Sequence, residues 1–279
     1  MKNLFTDENK NRPKYSLFPT IKDQFSNNNP LTYLKRFSFI NLFISFQREL
    51  NLRQETLYLC INIFDRYIQN LSKEKKISED LYLVALTCLI ISSKNEEIYP
   101  PYLKEFLDIS RYKCTERDII LKEDEILTSI DFEVLTISPY LFLKLFCQYN
   151  ATPDNILFDS DNNICFSGAQ FFLEICQIEP KFCEMKPSLQ AAICLYLSRK
   201  FLLCNYGKCH RIWTYELAFK TNYSEIQIKK NVKIAVNTIN NFFGNIYTKN
   251  FMAIPLYIKY YTNEYLRVSV KLKKIILGK

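Results

Sequence analysis

Residues 83–101 read LVALTCLIISSKNEEIYPP, and the interpretation of the whole chain starts from this stretch. Its first twelve residues are apolar at almost every position, which predicts a helix buried on all sides. Ser78 and the acids after it predict where this helix starts, because serine caps a helix and acids favour its first turn. Pro100 and Pro101 predict the start of a short helix, because proline is tolerated in a first turn. The stretch therefore predicts the central helix of an all-helical core.

The same pattern returns later in the chain. Residues 189–200, LQAAICLYLSRK, match residues 83–94 at six of twelve positions, and the shared residues include Cys88 and Lys94. A chance match between two short apolar stretches is the alternative. Equal numbers of helical patterns surround both copies, which favours an internal duplication. Besides the short helix predicted at Pro100 and Pro101, these patterns lie at 31–50, 54–70, 115–130, 138–149, 166–178, 212–220 and 224–243.

The pattern predicts an all-α fold of two tandem five-helix lobes with a short N-terminal arm and a basic C-terminal tail. We predict the arm at 1–30, the first lobe at 31–134, the second lobe at 135–262 and the tail at 263–279. The net charge is +8, and part of the excess lies in this tail. We interpret the tail as a solvated end, with nucleic-acid binding as the alternative. Its basic residues are Arg267, Lys271, Lys273, Lys274 and Lys279.

Composition and motifs exclude most enzyme classes. Only four glycines occur, which argues against glycine-rich phosphate loops and turn-dense β folds. His210 is the single histidine, so His-based triads and H-E-x-x-H helices are excluded. The acid clusters are interpreted as capping or solvated groups; they are Glu96, Glu97, Glu123, Asp124 and Glu125. We therefore predict a binding module that is not an enzyme.

Metal, cofactor and membrane binding are not expected either. The ten cysteines are scattered and are interpreted as small buried hydrophobes. Cys204, Cys209 and His210 lack the matching second half of a zinc site. No signal peptide pattern opens the sequence, and no uncharged apolar run reaches membrane-spanning length. We expect an intracellular, soluble chain without a metal or cofactor.

ISSKNEEIYPP at 91–101 resembles a run typical of A/B-type cyclins: a small residue, Ser, Lys, any residue, then Glu-Glu-Ile-Tyr-Pro-Pro. Residues 52–68 resemble the second helix of the cyclin box and residues 121–134 resemble its fifth. Residues 138–243 resemble the C-terminal cyclin fold more weakly, mainly in helix order and in the repeat. The resemblance covers most of the chain.

The resemblance supplies a candidate for each of the five signature residues of the cyclin box: Arg36, Asp65, Leu83, Lys94 and Glu123. It implies that Arg36 and Asp65 form a buried pair between the first two helices. It also implies that Lys94 and Glu123 point outward together and grip a cyclin-dependent kinase. A lone lysine at a helix end would only offset the helix dipole. Five matches in order favour the cyclin interpretation.

The resemblance further implies how such a complex works. The first lobe packs against a helix of the kinase and turns a kinase glutamate towards its catalytic lysine, which selects the active state. Ile91, Leu127 and Phe132 are the implied apolar contacts around Lys94 and Glu123. Asn95 stands where many cyclins carry an aromatic ring.

The family's substrate-docking patch is altered in this sequence. The patch is implied at Lys35, Phe39, Leu42, Ser45 and Tyr82. Lys35 replaces a methionine, Leu42 replaces a tryptophan, and Ser45 and Tyr82 stand where A-type cyclins carry an acid and an amide. The resemblance therefore predicts a degenerate patch for Arg-x-Leu peptides.

The resemblance implies a regulatory subunit that forms a heterodimer with a cyclin-dependent Ser/Thr protein kinase in cell-cycle control, in the nucleus, the cytoplasm or both. No nucleic acid, membrane or obligate homo-oligomer is expected. The alternative is a nucleic-acid-binding factor of the transcription factor IIB kind, which also has two five-helix repeats. The net charge fits that alternative, whereas Lys94, Glu123 and the missing zinc ribbon do not.

Overall fold

The computed structural model describes residues 2–8, 10, 33–73, 80–110, 113–148, 159–203, 211–244 and 254–278. Throughout these ranges the chain forms helices joined by turns and loops, without a strand. The prediction of an all-α fold is therefore confirmed. The chain divides into two compact units, Met1–Ser138 and Pro139–Lys279. Most of the predicted N-terminal arm lies outside the described residues.

The first unit contains a short N-terminal helix followed by five helices that correspond to the predicted first lobe. They are α1 (Lys2–Asp7), α2 (Tyr33–Glu49), α3 (Gln54–Lys73), α4 (Leu81–Glu96), α5 (Leu103–Ser110) and α6 (Glu116–Ser129). The second unit has the same order of main helices with three additional ones. They are α7 (Pro139–Gln148), α8 (Asp159–Cys176), α9 (Pro180–Cys183), α10 (Pro187–Leu202), α11 (Tyr215–Thr221), α12 (Glu225–Phe243), α13 (Pro255–Lys259) and α14 (Val268–Leu277).

Helix α4 is the centre of the first unit. Every residue from Val84 to Ser93 is buried, and the helix packs against α3 and α6. Asp80 caps its start by accepting hydrogen bonds from two backbone N–H groups of the first turn, at 3.1 and 3.2 Å. The cap is therefore Asp80 and not Ser78, because a capping side chain must directly precede the first turn. Ser78 itself lies outside the described residues.

Helix α5 begins at Leu103, so Pro100 and Pro101 lie in the loop before it and not in its first turn. The residue that precedes the helix is Tyr102, and its N–H donates to Glu105 Oε2 at 2.7 Å. This bond is one half of a capping box, and it sets the start of the helix two residues later than predicted. The predicted short helix is present, and its starting position is corrected.

Helix α6 begins at Glu116, and Thr115 caps it at the position where the sequence pattern begins. Thr115 Oγ1 accepts a hydrogen bond from the Asp118 N–H, and Asp118 Oδ2 accepts one from the Thr115 N–H. The hydrogen bonds that Asp118 Oδ2 accepts from the Thr115 N–H and the Thr115 hydroxyl lower the pKa of Asp118. The reciprocal capping box fixes the register of α6 and therefore the side of the helix on which Glu123 lies.

Helix α10 occupies the place in the second unit that α4 occupies in the first. Both of its ends lie 106 residues after the ends of α4. It is buried along most of its length and packs against α8 and α7. Gly168 of α8 allows this close approach, because a Cβ there would lie 2.5 Å from Leu202 Cδ1 and 2.6 Å from Ser198 Oγ. A larger residue here would force the Leu202 and Ser198 side chains to shift, so glycine favours close packing at this crossing.

The predicted solvated tail is largely a packed helix. Val268 and Leu272 of α14 are fully buried, and α14 packs against α8 and α12. These two residues lie four apart and so form one apolar side of the helix, while Lys274 is exposed. The interpretation of a solvated end is therefore wrong for residues 268–277. The lysines suggested a solvated end, whereas the apolar residues spaced between them form the buried side of the helix.

Candidate partner-binding surface

Arg36 and Asp65 form a buried ion pair that links α2 to α3. The pair joins Arg36 Nη1 to Asp65 Oδ1, and the two side chains are only 2% and 0% exposed. Burial of both charges requires that they neutralise each other. Burial, and to a smaller extent the Asp65 charge, raises the pKa of the Cys88 thiol. This pair ties α2 to α3, and α3 in turn packs against α4, the helix that carries Lys94.

Lys94 and Glu123 come together on the surface of the first unit. Lys94 lies in the last turn of α4 and Glu123 in the middle of α6, and Lys94 Nζ lies 2.7 Å from each carboxylate oxygen. Lys94 is 53% exposed and Glu123 is 20% exposed. An exposed pair of this kind contributes little stability. It does hold an ammonium group and a carboxylate side by side, where a partner's polar groups can reach both.

The predicted apolar contacts around this pair differ in accessibility. Phe132 is 63% exposed and Leu127 is half-buried, so both offer apolar surface. Asn95 is exposed at the end of α4. Ile91 is only 4% exposed and packs inside the unit. The prediction that Ile91 contributes a contact surface is therefore corrected, because helix α4 turns this residue towards the core.

Phe132 is held outward by a strained turn after α6. Asp131 and Phe132 both have φ of 55°, which is uncommon for a bulky side chain. Arg66 of α3 pins this turn by donating to the backbone oxygens of Glu133 at 2.6 Å and Ile130 at 3.2 Å. Backbone strain persists where the surroundings fix it, and it is concentrated at functional sites. The role of Arg66 was not predicted from the sequence, because a side chain bonded to distant carbonyl groups leaves no periodic pattern.

The two acids after Lys94 have a structural role. Glu97 Oε1 accepts a hydrogen bond from the Arg53 N–H at 2.8 Å and another from the Thr56 hydroxyl. Arg53 Nη1 in turn donates to the Glu96 backbone oxygen at 2.9 Å. Glu97 therefore caps the N-terminal end of α3 from a distant part of the sequence, and the loop after α4 is anchored. Burial raises the pKa of Glu96.

Leu83 lies half-buried in the first turn of α4, and its backbone oxygen accepts a hydrogen bond from the Thr87 hydroxyl at 2.8 Å. Its side chain is therefore partly packed at the start of the central helix, where the structural role was predicted.

The residues of the altered docking patch lie on α2 and at the start of α4. Lys35 is exposed and Leu42 is half-buried. Phe39 is also half-buried, and its ring lies 5.1 Å from the ring of Phe64. Ser45 donates its hydroxyl to a backbone oxygen of its own helix at 3.1 Å. Tyr82 donates its hydroxyl to the Ser110 backbone oxygen at 3.0 Å, which ties α4 to α5.

Within the described ranges, no group of three or more His, Cys, Asp and Glu side chains is placed to hold a metal ion. Cys204, Cys209 and His210, the residues considered for a zinc site, lie outside those ranges. No helix in the described part of the chain is long and apolar enough to cross a membrane.

Two family models match the chain in tandem. The cyclin N-terminal domain matches residues 1–135, and the cyclin C-terminal domain matches residues 137–272.

Named relatives are mitotic cyclins. The chain is 27% identical to the G2/mitotic-specific cyclin-B of Dictyostelium discoideum over 217 residues, which is 78% of this chain and 46% of that protein. It is 33% identical to the G2/mitotic-specific cyclin-2 of Saccharomyces cerevisiae over 184 residues, which is 66% of this chain and 35% of that protein. The chain thus spans less than half the length of these two relatives.

Solved structures share the fold. A viral cyclin from herpesvirus saimiri superposes with a TM-score of 0.61 at 16% identity, over 85% of this chain and 96% of that one. A chain of the CAK complex from Chaetomium thermophilum superposes with a TM-score of 0.54 at 13% identity, over 99% of this chain and 87% of that one.

Proposed function

Because this chain belongs to the cyclin family, we propose that it is a regulatory subunit that binds and activates a cyclin-dependent Ser/Thr protein kinase in cell-cycle control. The observation that carries the proposal is the outward-facing pair of Lys94 and Glu123, 2.7 Å apart, on a unit that also exposes Phe132. The family matches do not favour the alternative of a nucleic-acid-binding factor of the transcription factor IIB kind.

The pair is suited to bind main-chain groups of a kinase. The Lys94 ammonium group donates up to three hydrogen bonds, and the Glu123 carboxylate accepts several. Charged hydrogen bonds are stronger than neutral ones. The mutual bond of the two side chains fixes their positions before a partner arrives, which lowers the entropy lost on binding.

Phe132 supplies the apolar part of the proposed contact. A large exposed ring on the same unit as a fixed charged pair can serve as the aromatic anchor of a binding hot spot. Arg66 positions this ring through the turn after α6. Leu127 lies on α6 one turn after Glu123 and adds apolar surface on the same side of the helix. Asn95 contributes a polar group where an aromatic ring would give more contact area.

Activation in this proposal is conformational, and the chain contributes no catalytic group. A protein kinase transfers phosphate only when its conserved lysine and the glutamate of its helix C are paired. A subunit that binds the paired state more tightly shifts the kinase towards it, by as much as its affinity for the two states differs. We further propose that the complex works in the nucleus, the cytoplasm or both; imaging of the tagged chain tests this.

Calorimetry of the chain with a kinase recovered from its own cells tests the proposal. Lys94→Ala and Glu123→Ala should each weaken kinase binding by about 30-fold or more, since truncating one side of such a contact costs about 2–5 kcal/mol. Both variants should keep the wild-type circular dichroism spectrum, because the pair is exposed.

The chain offers a matched control on α12 of the second unit. Lys229 and Glu225 form an ion pair of 2.8 Å with exposed fractions of 57% and 31%, close to those of the proposed contact pair. Lys229→Ala and Glu225→Ala should leave kinase affinity unchanged. Equal losses in both pairs, or no loss in either, would remove the basis for assigning kinase binding to Lys94 and Glu123.

A further inference from the structure

The loop after α4 exposes three large apolar side chains. Ile98 is 79% exposed, Tyr99 is 91% exposed and Tyr102 is 81% exposed. Apolar and aromatic side chains in this unit are otherwise mostly found in its core, so folding gains little from these three. Three large exposed apolar side chains within five residues, two of them aromatic, are typical of a surface that binds another molecule.

The loop is anchored at both ends and restricted in its middle, so the side chains of Tyr99 and Tyr102 are held on a fixed backbone. Glu97 and the Glu96 backbone anchor its start to the N-terminal end of α3 through Arg53. Pro100 and Pro101 restrict its middle, because each proline ring fixes one backbone dihedral. The bond from the Tyr102 N–H to Glu105 at 2.7 Å fixes its end. A preorganised surface loses less entropy when a ligand binds.

A cleft of about 660 Å³ is lined by Tyr99, Pro100, Pro101 and Tyr102 of this loop. Its lining is completed by Glu49 at the C-terminal end of α2, by Leu50 and Asn51 after it, and by Glu105 of α5. We call this site the tyrosine cleft. Its lining combines flat aromatic and proline surfaces with two carboxylates.

The charged side chains that line the tyrosine cleft are negative. Glu49 and Glu105 line it, and no basic side chain is found among the described residues of its lining. The carbonyl groups at the C-terminal end of α2 add the negative pole of the helix dipole. Arg48 lies in the same last turn of α2 but does not line the cleft. A ligand with a positive charge is therefore favoured over a neutral or acidic one.

We propose that the tyrosine cleft docks a proline-rich segment of a partner protein that carries an arginine or lysine beside its prolines. Proline-rich segments form an extended polyproline helix, which binds grooves lined by aromatic rings because little entropy is lost on binding. The rings of Tyr99 and Tyr102 provide that surface. Glu49 and Glu105 would pair with the basic residue and so set the direction in which the segment lies.

Fluorescence anisotropy with the full chain tests the proposal. The probe is a short labelled Pro-x-x-Pro peptide with one terminal arginine, and its two controls carry a glutamate in place of the arginine or glycines in place of the prolines. We expect saturable binding of the arginine probe, weaker binding of the glutamate peptide and no binding of the glycine peptide. Failure of the arginine probe to bind at millimolar peptide would overturn the proposal.

Variants assign the binding to the cleft. Tyr99→Ala and Tyr102→Ala should each weaken the probe by about 10-fold, the effect of losing an aromatic anchor. The double change Glu49→Gln and Glu105→Gln keeps an acceptor for the Tyr102 N–H, and should remove most of the preference for arginine over glutamate. Tyr215→Ala is the matched control, because Tyr215 is 78% exposed in the second unit.

The remaining outcomes each overturn the proposal. If Tyr215→Ala weakens the probe as much as Tyr99→Ala, the binding is nonspecific. If Tyr99→Ala lowers kinase affinity and leaves the probe unaffected, the cleft belongs to the kinase contact. If Tyr99→Ala abolishes self-association in sedimentation while no peptide binds, the occupant is a second copy of the chain. Peptide binding and kinase binding are separate measurements, so this proposal and the proposed function can fail independently.

Discussion

Removal of Asp65 should strongly destabilise the first unit. Asp65→Ala takes the carboxylate away from the Arg36 guanidinium in a site where the two side chains are only 0% and 2% exposed. Breaking a buried ion pair from one side costs about 3–5 kcal/mol, because a charge stays buried without its counter-charge. This is a large part of the roughly 5–15 kcal/mol that stabilises a typical domain. With a urea dependence of about 2 kcal/mol per molar, the midpoint should fall by about 1.5–2.5 M.

The two units can be followed separately in the same urea titration. Trp213 is the single tryptophan of the chain, and it is buried in the second unit. Its fluorescence therefore reports unfolding of the second unit, while far-ultraviolet circular dichroism reports both. Asp65→Ala should shift the part of the dichroism transition that is not matched by the fluorescence signal.

A double substitution distinguishes a buried charge from lost packing. If the cost comes from the buried Arg36 charge, Arg36→Met combined with Asp65→Leu should recover most of the stability, because an apolar pair can replace a buried ion pair. The reasoning is refuted if Asp65→Ala costs less than about 1 kcal/mol, or if the double variant is as unstable as the sum of the two single variants.

Two further predictions follow from the docking patch and from the helix crossing of the second unit. An Arg-x-Leu peptide should bind the complex of the chain with its kinase only at about 0.1 mM. Lys35 repels the peptide, Ser45 offers no acid and the apolar floor is smaller, a combined loss of about 2–3 kcal/mol that weakens a micromolar site by roughly 30- to 150-fold. Fluorescence titration of the peptide against this complex measures the affinity. Lys35→Met combined with Ser45→Glu should restore peptide affinity. Low-micromolar binding to the wild-type complex would contradict the prediction. Gly168→Ala should lower the free energy of unfolding of the second unit by about 1–3 kcal/mol, since the new methyl group meets Leu202 and Ser198 at 2.5 and 2.6 Å. An unchanged Trp213 transition would show that α8 and α10 can separate without cost.

Much of the fold could be predicted because the sequence repeats its patterns locally. The apolar run of α4 and its copy in α10 are visible at the level of single residues, and both helices are buried as predicted. The start of α6 could be predicted because a capping box is confined to four neighbouring residues, Thr115–Asp118. Local signals of this kind need no knowledge of what lies across the core.

Contacts between distant segments could not be predicted in the same way. Glu97 accepts the Arg53 N–H at the start of α3 from 44 residues away, and Arg66 holds the turn at Glu133 from 67 residues away. Each contact depends on one side chain that reaches a distant backbone group. In the sequence, such a side chain cannot be distinguished from any other polar residue. Helix α14 was missed for another reason, since its two buried apolar positions are interspersed with lysines that suggested a solvated end.

Comparison of the two units shows whether packing of the fold requires the pair of Lys94 and Glu123. Helix α10 repeats the position of α4 and also ends with an exposed lysine, Lys200, at the place of Lys94. Helices α6 and α12 both begin with a capping box, which sets them in register, and the α12 residue that matches Glu123 is then Val232. The second unit packs its central helix without that carboxylate, so the scaffold does not require the pair. An exposed ion pair contributes little stability in any case. Its presence in the first unit alone is therefore best explained by recognition of a partner, which supports the assignment of kinase binding to Lys94 and Glu123.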